Sequence, residues 1–193
     1  LGIVLEYKAM TQKYFGGGKT DCGGRKQDDE SKDGHSDDVT ALAMSFDRKI
    51  VVSGQNGQKP LVFLWSAEDA KPIGSKRLPK GARLVTAIGL SATNKFIAAA
   101  DAAEKITVHI FKVDGGKAAI ASCAVNMKIV HLAWNCNEEN KFATAGEKHV
   151  CMIDFDGAKT CKMTKGKAGK GGKIENQCSA AWLNDKKFSN QMK

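Results

Sequence analysis

A run of lysines is the most distinctive group of charged side chains in this sequence of 193 residues. Six fall within 15 residues, with no acid among them: Lys159, Lys162, Lys165, Lys167, Lys170 and Lys173. The whole chain has 30 Lys and Arg against 21 Asp and Glu, a formal net charge of +9. Clustered positive charge attracts anions through a field that salt screens over about 8 to 10 Å. We predict a mobile basic loop whose contacts to an acidic partner come from Lys162, Lys165, Lys167, Lys170 and Lys173, with a merely solvated loop as the alternative.

The composition of this run argues against nucleic acid as its partner. Proteins that bind single strands interleave aromatic side chains with their cations, so that bases can stack on them. No aromatic residue lies between Lys159 and Lys173. Arginine, which makes bidentate contacts to phosphate and guanine, occurs only four times in the chain. Nucleic acid is therefore the weaker hypothesis.

Two glycine-rich segments approach the pattern of a phosphate-binding loop without meeting it. Residues 16–20 end in Gly-Lys-Thr, but Lys13 stands where that loop needs its first glycine. Residues 166–173 are followed by Ile174 in place of Ser or Thr. His109 and His131 lie within apolar stretches, which indicates structural histidines. We predict no nucleotide site, no cofactor and no enzymatic activity.

The six cysteines predict reduced thiols and no metal centre. They lie at least ten residues apart, and none forms the C-x-x-C pair that structural zinc sites use. His149 and Cys151 are two residues apart, but no second pair accompanies them. A group of acids lacks the alternating spacing of a calcium loop and predicts a solvated linker: Asp28, Asp29, Glu30, Asp33, Asp37 and Asp38.

The composition predicts a folded cytoplasmic chain. It is 42% hydrophobic and 26% charged, which suits a packed core. No apolar stretch approaches the roughly 20 residues that a membrane-spanning helix needs. The apolar start lacks the basic residues of a signal peptide, and the absence of an initial Met suggests a fragment.

An internal repeat of 46 residues organises the chain. Segments that begin with lysine follow one another at this step, at Lys49, Lys95, Lys141 and Lys187. A second register gives steps of 46, 45 and 48, at Val39, Val85, Val130 and Cys178. A third set of equivalent residues closes the units with aromatic side chains, at Trp65, Phe111 and Phe155.

Each unit predicts four short antiparallel strands, because β-branched and aromatic stretches alternate with turns rich in Asn, Asp, Gly and Lys. Four strands in about 46 residues are typical of one blade of a β-propeller. We predict an all-β fold: a lead-in and acidic, Gly-rich linker over 1–33, then a partial propeller over 34–193. Its blades are expected at about 34–80, 81–125 and 126–173, with a fourth beginning over 174–193 and further blades beyond it.

The first unit resembles a WD repeat. Gly34 and His35 precede its first strand, Ser53 and Gly54 end its second, and its third closes with Trp65. The resemblance implies a buried, hydrogen-bonded structural set that ties the blade together and includes His35, Ser53 and Trp65. Asn-Gly replaces the family's Asp-Gly at the turn, and the later units lose the Gly-His.

The segment 34–65 is also similar to the propellers of the echinoderm microtubule-associated protein-like family, through Gly-His-x-Asp-Asp-Val and a Gly-Gln after the second strand. This resemblance implies a non-enzymatic scaffold that binds tubulin, microtubules and other microtubule-associated proteins. It implies a location on the cytoskeleton, including the axoneme of a cilium or flagellum. Two alternatives stay open: a generic WD-repeat adaptor, and a basic propeller associated with RNA or the ribosome.

Overall fold

The computed structural model describes residues 2–6, 11–15 and 34–183, and all its regular elements are β-strands. The first two strands, β1 (Gly2–Glu6) and β2 (Thr11–Phe15), form an antiparallel pair. The other twelve form three four-stranded antiparallel sheets, as the repeat predicts. Among the described residues no helix is long and apolar enough to cross a membrane.

Each sheet contains four strands that are consecutive in sequence. The first has β3 (Val39–Met44), β4 (Ile50–Gln55), β5 (Leu61–Ser66) and β6 (Pro72–Arg77). The second has β7 (Val85–Leu90), β8 (Phe96–Asp101), β9 (Thr107–Lys112) and β10 (Ala121–Ala124). The third has β11 (Ile129–Trp134), β12 (Lys141–Gly146), β13 (His149–Phe155) and β14 (Cys161–Lys165). The first strands of the three sheets lie side by side, as the inner strands of a propeller do.

The same local devices recur in successive sheets. The ladder between the first two strands shifts register at one equivalent place in each, between Val39 and Ala41 in the first sheet. In the first turn of the first two sheets a serine hydroxyl accepts a hydrogen bond from the next strand: Ser45 Oγ from Ile50 N at 2.9 Å, and Ser91 Oγ from Phe96 N at 3.0 Å. The sequence repeat therefore encodes the turns as well as the strands.

The core lies between adjacent sheets. One buried cluster joins Val62 and Leu64 of the first sheet to Ile97 and Phe111 of the second. Gly54 permits this approach, because a Cβ there would lie 2.4 Å from Cγ1 of Val85. Large apolar side chains from all three sheets are buried: Val51, Phe63, Trp65, Val85, Ile97, Val108, Leu132, Trp134, Phe142 and Ile153. Ile106 and Trp182 are only half-buried.

The third sheet corrects one equivalence of the repeat. Trp65 pairs with Val51, and the corresponding partner of Phe142 is Ile153 rather than Phe155. The cause is the hairpin between β12 and β13, where two residues replace the five that separate β4 from β5. Phe155, the aromatic residue that closes the third unit in the sequence, therefore lies two positions beyond the structural equivalent of Trp65.

Several predicted features fall outside the described residues: the Gly-Lys-Thr segment 16–20, Cys22, the acids of 28–33, and 184–193. Within 174–183 no strand is present, although this segment lies against the third sheet. Gln177 N donates to Gly146 O at 2.9 Å, and Trp182 Nε1 donates to Ala133 O at 2.8 Å. The proposed blade boundaries stay a prediction.

Candidate functional site

The structure brings His35, Ser53 and Trp65 together in the first blade. Trp65 Nε1 donates to Ser53 Oγ at 2.7 Å, and Ser53 Oγ lies 2.5 Å from His35 Nε2. On its other side, His35 Nδ1 is 2.7 Å from Gln55 Oε1. Phe63 packs edge-on against the imidazole at 4.7 Å and stacks on Trp65 at 5.3 Å. Trp65, Ser53, His35 and Gln55 thus form one hydrogen-bonded chain, and the ring of Phe63 packs against it.

The donor and the acceptor in each of these hydrogen bonds follow from the chemistry of the side chains involved. The indole can only donate, so Ser53 accepts from Trp65 and is free to donate its own proton to His35 Nε2. His35 Nδ1–H then donates to the Gln55 carbonyl oxygen. Because Nε2 accepts from Ser53, the imidazole in this arrangement is neutral. Burial lowers the pKa of His35 to about 4, which favours that neutral form. The set is therefore complete at neutral pH.

Gln55 is the member that sequence reasoning did not assign. It ends β4 and is 2% exposed, and its Nε2 donates to Ser36 Oγ at 3.3 Å. Gln55 belongs to the Gly-Gln of the family pattern, and in this fold its amide oxygen accepts a hydrogen bond from His35 Nδ1–H.

The second blade has a different polar set. His109 Nε2 lies 2.8 Å from Asp101 Oδ2, and His109 Nδ1 lies 2.9 Å from Ser122 Oγ. Asp101 Oδ1 also accepts from Thr107 N at 2.9 Å. Both His109 and Asp101 are buried, so this histidine is satisfied within its blade.

Asp, His and Ser are the residue types of a hydrolytic triad, but here the three residues lie on neighbouring strands of one sheet. Ser122 and His109 are register partners on β10 and β9, and Asp101 ends β8. The adjoining cleft of about 740 Å³ includes Asp101 and His109 among its lining residues, but not Ser122. The arrangement therefore ties three strands together, and the would-be nucleophile does not open into that cleft.

The third blade leaves equivalent polar groups unsatisfied. Thr144 pairs with Leu132 as Ser53 pairs with Leu42, so the two hydroxyls occupy the same position. Thr144 Oγ1 and His149 Nε2 are buried and have no hydrogen-bond partner of ordinary geometry among the described residues. The Cys151 thiol interacts with Thr144, but a thiol forms only weak hydrogen bonds.

A buried lysine joins the first blade to the second. Lys76 lies on the outer strand β6 and is 3% exposed. Its Nζ donates to Val113 O and Gly115 O, both at 2.8 Å, and to Gly116 O at 3.4 Å. The three ammonium protons thus meet three carbonyls of the β9–β10 loop. Burial lowers the pKa of Lys76, and sequence reasoning did not assign this residue.

The turns between the first two strands of neighbouring blades are also linked. Asn94 Nδ2, in the second blade, donates to Asp47 Oδ2 of the first at 3.0 Å. Glu139 of the third blade accepts from Ser91 Oγ, and from Thr93 N at 2.9 Å. Neighbouring blades are therefore held by polar contacts between their turns and loops as well as by the core.

The predicted partner-binding lysines all lie exposed at the outer side of the third blade. Lys162 and Lys165 belong to β14, the outermost strand of its sheet, whereas Lys167, Lys170 and Lys173 follow it. Since side chains alternate along a strand, Lys162 and Lys165 point to opposite faces. Lys162 is paired in register with Asp154. The five cations are thus exposed without forming one flat patch.

The cysteines and histidines do not assemble a metal centre in the part of the chain that the structure describes. The five described cysteines are free thiols: Cys123, Cys136, Cys151, Cys161 and Cys178. Burial raises the pKa of Cys161 to about 11, with the neighbouring Cys123 and Asp156 adding to the effect. A thiol with a raised pKa is a poor nucleophile at neutral pH.

Comparison with known sequences identifies a similar protein. No protein-family model matches the chain. The ciliary WD repeat-containing protein ctxp80 of Euplotoides octocarinatus is 35% identical over 185 residues, which cover 94% of this chain and 25% of that protein. This chain therefore spans about a quarter of the length of that relative.

Several solved structures are similar to this chain in fold. The β-propeller domain of Cps50 (Swd1) from Myceliophteria thermophila matches 68% of this chain and 39% of its own, with a TM-score of 0.53 at 16% identity. A chain of the mitotic checkpoint complex matches 77% and 44%, at 0.57 and 17%. U3-55K matches 69% and 41%, at 0.56 and 15%. At these identities the likeness concerns the fold alone, and the three sheets between Val39 and Lys165 are three consecutive blades of a WD-repeat β-propeller.

Proposed function

We propose that this chain is part of a non-enzymatic scaffold of the cilium that binds an acidic surface of tubulin through the five lysines of the third blade. The observation that carries the proposal is the exposure of all five side chains along β14 and the segment after it. The similarity to a protein named as ciliary supports the location. The echinoderm microtubule-associated protein-like pattern in 34–65 supports tubulin as the partner.

The proposed contact is electrostatic and depends on several lysines together. An exposed pair of Lys and carboxylate contributes only about 0.2 to 1 kcal/mol. Five such pairs increase the association rate and tune affinity, whereas shape-complementary blade surfaces supply the remaining binding free energy. Because Lys162 and Lys165 face opposite ways, a flexible acidic tail that wraps around the edge of the sheet fits better than a flat surface.

The absence of catalysis is part of the proposal and has a structural argument. Asp101, His109 and Ser122 are occupied in holding three strands together. Burial raises the pKa of the Cys161 thiol. The thiolate, which is the nucleophilic form, is therefore disfavoured at neutral pH. A hydrolase assay with activated esters tests this point, and loss of activity in Ser122→Ala would overturn it.

Co-sedimentation with taxol-stabilised microtubules tests the proposal. Replacing Lys162, Lys165, Lys167, Lys170 and Lys173 by Gln is expected to weaken pelleting several-fold, most strongly at low salt. Removal of the acidic tubulin tails should weaken the parent protein to a similar extent. A matched control removes the same charge from exposed lysines elsewhere, namely Lys49, Lys95, Lys112, Lys128 and Lys148.

Equal pelleting of the five-lysine variant and the parent at both salt concentrations would contradict the tubulin contact. Equal losses in the variant and in the matched control would show a non-specific effect of net charge. Binding of RNA by the parent, lost in the five-lysine variant, would favour the RNA-associated alternative. Binding of other proteins without microtubules would favour the generic adaptor.

A further inference from the structure

The inner strand of the first blade, β3, leaves two large apolar side chains uncovered. Leu42 is 64% exposed, whereas the residues at the same place in the ladders of the next two blades, Ile88 and Leu132, are each 5% exposed. Met44 is 53% exposed, and its equivalent in the second blade, Leu90, is 3% exposed. The first blade therefore lacks a cover that the other two have at this strand.

The cover in the other two blades is an inner strand with small side chains. Ala41 and Ala43 of β3 pack against the buried cluster that contains Ile88. Between the second and third blades, a Cβ on Gly89 would lie 2.9 Å from Cδ2 of Leu132. A segment that covers the first blade in the same way must therefore carry small side chains at two alternate positions.

The uncovered part of the first blade is confined to its inner strand. Leu42, Ser53 and Phe63 are register partners across three strands and so lie on one face of the sheet. Farther out on this face, Phe63 and Trp65 are only 1% and 3% exposed. A single extended segment beside β3, rather than a complete blade, is enough to cover what remains.

The segment 174–183 has small side chains in the required pattern. It lies against the third sheet, to which the indole of Trp182 donates a hydrogen bond. Ala180 and Trp182 are half-buried there, whereas Ser179 and Ala181 are exposed. Two small side chains at alternate positions are therefore available for a further contact.

This segment and β3 lie at opposite ends of the row of blades. The inner strand β7 of the second blade contacts both β3 and β11 and stands between them, and 174–183 lies on the third blade. In its own chain the segment therefore leaves Leu42 and Met44 exposed. The two ends have complementary surfaces, one with large apolar side chains and one with small side chains.

We propose that two copies of this chain close a ring, in which Ser179 and Ala181 of each copy pack on Leu42 and Met44 of the other. The two contacts are identical and are related by a two-fold axis. Each copy contributes three complete sheets and one inner segment, so the ring lies within the roughly 4 to 8 blades of typical propellers. Burial of the exposed apolar side chains drives the association. The five lysines of the proposed tubulin contact take no part.

The test is the mass of the whole chain in solution, measured by sedimentation equilibrium over a range of concentrations. The parent should approach twice the mass of one chain. Because each copy carries a net charge of +9, salt screens the repulsion between copies, and association should strengthen as salt rises. The tubulin contact has the opposite dependence on salt, so the failure of one proposal is distinguishable from the failure of the other.

Substitutions at the exposed face of β3 locate the contact. Leu42→Gln with Met44→Gln should raise the dissociation constant of the pair by at least about tenfold, which corresponds to about 1.4 kcal/mol. The matched control is Ile73→Gln with Val130→Gln, which removes two other exposed apolar side chains and should leave the association intact.

A substitution at the other end shows whether the contact joins two different surfaces. Ala181→Glu places a charge in the contact and should weaken association as strongly, whereas Ala158→Glu at an exposed turn should not. Each weakened protein keeps one intact half of the contact. A mixture of the Ala181→Glu protein with the Leu42→Gln, Met44→Gln protein should therefore associate more tightly than either protein alone.

Four results would overturn the proposal. One is a parent that stays a monomer up to its highest soluble concentration. Another is unchanged association in the Leu42→Gln, Met44→Gln protein with unchanged circular dichroism. The third is association that Ala181→Glu does not affect, which would mean that two β3 faces meet each other. The fourth is growth beyond twice the mass of one chain, which would show an open-ended assembly in place of a closed ring.

Discussion

Ser53 in the first blade and Thr144 in the third occupy the same place in their ladders, yet their hydroxyls have different surroundings. Ser53 stands between an indole and an imidazole and bonds to both. Thr144 faces the Cys151 thiol and makes no hydrogen bond of ordinary geometry among the described residues. The second blade has Ala99 at this position and places its polar set at Asp101, His109 and Ser122.

The comparison separates what the repeat conserves from what it leaves variable. All three blades keep the four-stranded ladder and the irregularity between the first two strands. Each blade satisfies its buried polar groups in its own way, or leaves some of them without a partner. The ladder and the apolar interfaces define the blade, and the polar set adds stability to particular copies of it.

Replacing Trp65 by Ala should have the largest effect on the first blade. The residue is 3% exposed, and it contributes packing, stacking with Phe63 and a hydrogen bond. We expect the free energy of unfolding to fall by about 3 to 5 kcal/mol in urea titration. Trp182→Ala is the control, because that half-buried side chain lies outside the sheets. If Trp65→Ala lowered the free energy of unfolding no more than Trp182→Ala does, the role assigned to Trp65 in the first blade would be contradicted.

Acidification should destabilise the first blade through His35. Its pKa of about 4 in the folded chain lies below the ordinary value of 6.5, so between these values the unfolded chain binds more protons. Stability is therefore fully present above pH 6.5 and is lost as the pH falls toward 4, by on the order of 3 kcal/mol. Thermal melts across this range should show a slope that His35→Gln reduces. An identical slope in that variant would exclude His35 as its source.

Lys76→Met should loosen the junction between the first and second blades. The substitution keeps an unbranched side chain but removes three donors to backbone carbonyls. We expect a loss of about 2 to 3 kcal/mol, because hydrogen bonds to a charged group are stronger than neutral ones. Lys112→Met, at an exposed position, should change stability by less than about 0.5 kcal/mol. Equal effects at the two lysines would show that the buried contacts contribute nothing.

The most specific comparison is between Ser53→Ala and Thr144→Val. The first leaves the Trp65 donor and the His35 nitrogen without their partner, at an expected cost of about 2 kcal/mol. The second removes a hydroxyl that has no such partner, so we expect a change below about 1 kcal/mol or a small gain. Chemical denaturation of both variants measures the difference. A larger loss at Thr144 would mean that its hydroxyl is satisfied in solution, for instance by a buried water.

The sequence was sufficient to predict the twelve strands of the three sheets and their order, since alternation and turn residues act locally and recur at a fixed step. It did not predict the pair of β1 and β2, which lies in the segment assigned to the lead-in. It did not predict Lys76, because a lysine on an outer strand has the appearance of a solvated edge residue. Its carbonyl partners lie 37 to 40 residues away, in the next blade. The same limitation applied to Gln55, whose partner His35 lies 20 residues earlier.

The lysines of the third blade show what spacing in a sequence leaves undetermined. Their density predicts a positive surface, and all five are exposed. Lys162 and Lys165 nevertheless point to opposite faces of β14, which their density in the sequence does not reveal. A cleft between the β4–β5 turn and the segment from β6 to β7 was not predicted either, since its lining residues Lys59 and Arg83 are brought together only by folding.

A double-mutant cycle of Trp65→Phe and His35→Gln tests most directly whether the polar set of the first blade acts as one unit. Each substitution removes one neighbour of Ser53 and keeps much of the side chain's volume. We predict that the double variant loses less stability than the sum of the single losses, with a coupling of at least about 1 kcal/mol. Additivity within about 0.5 kcal/mol would contradict this account, because the two residues would then stabilise the blade independently.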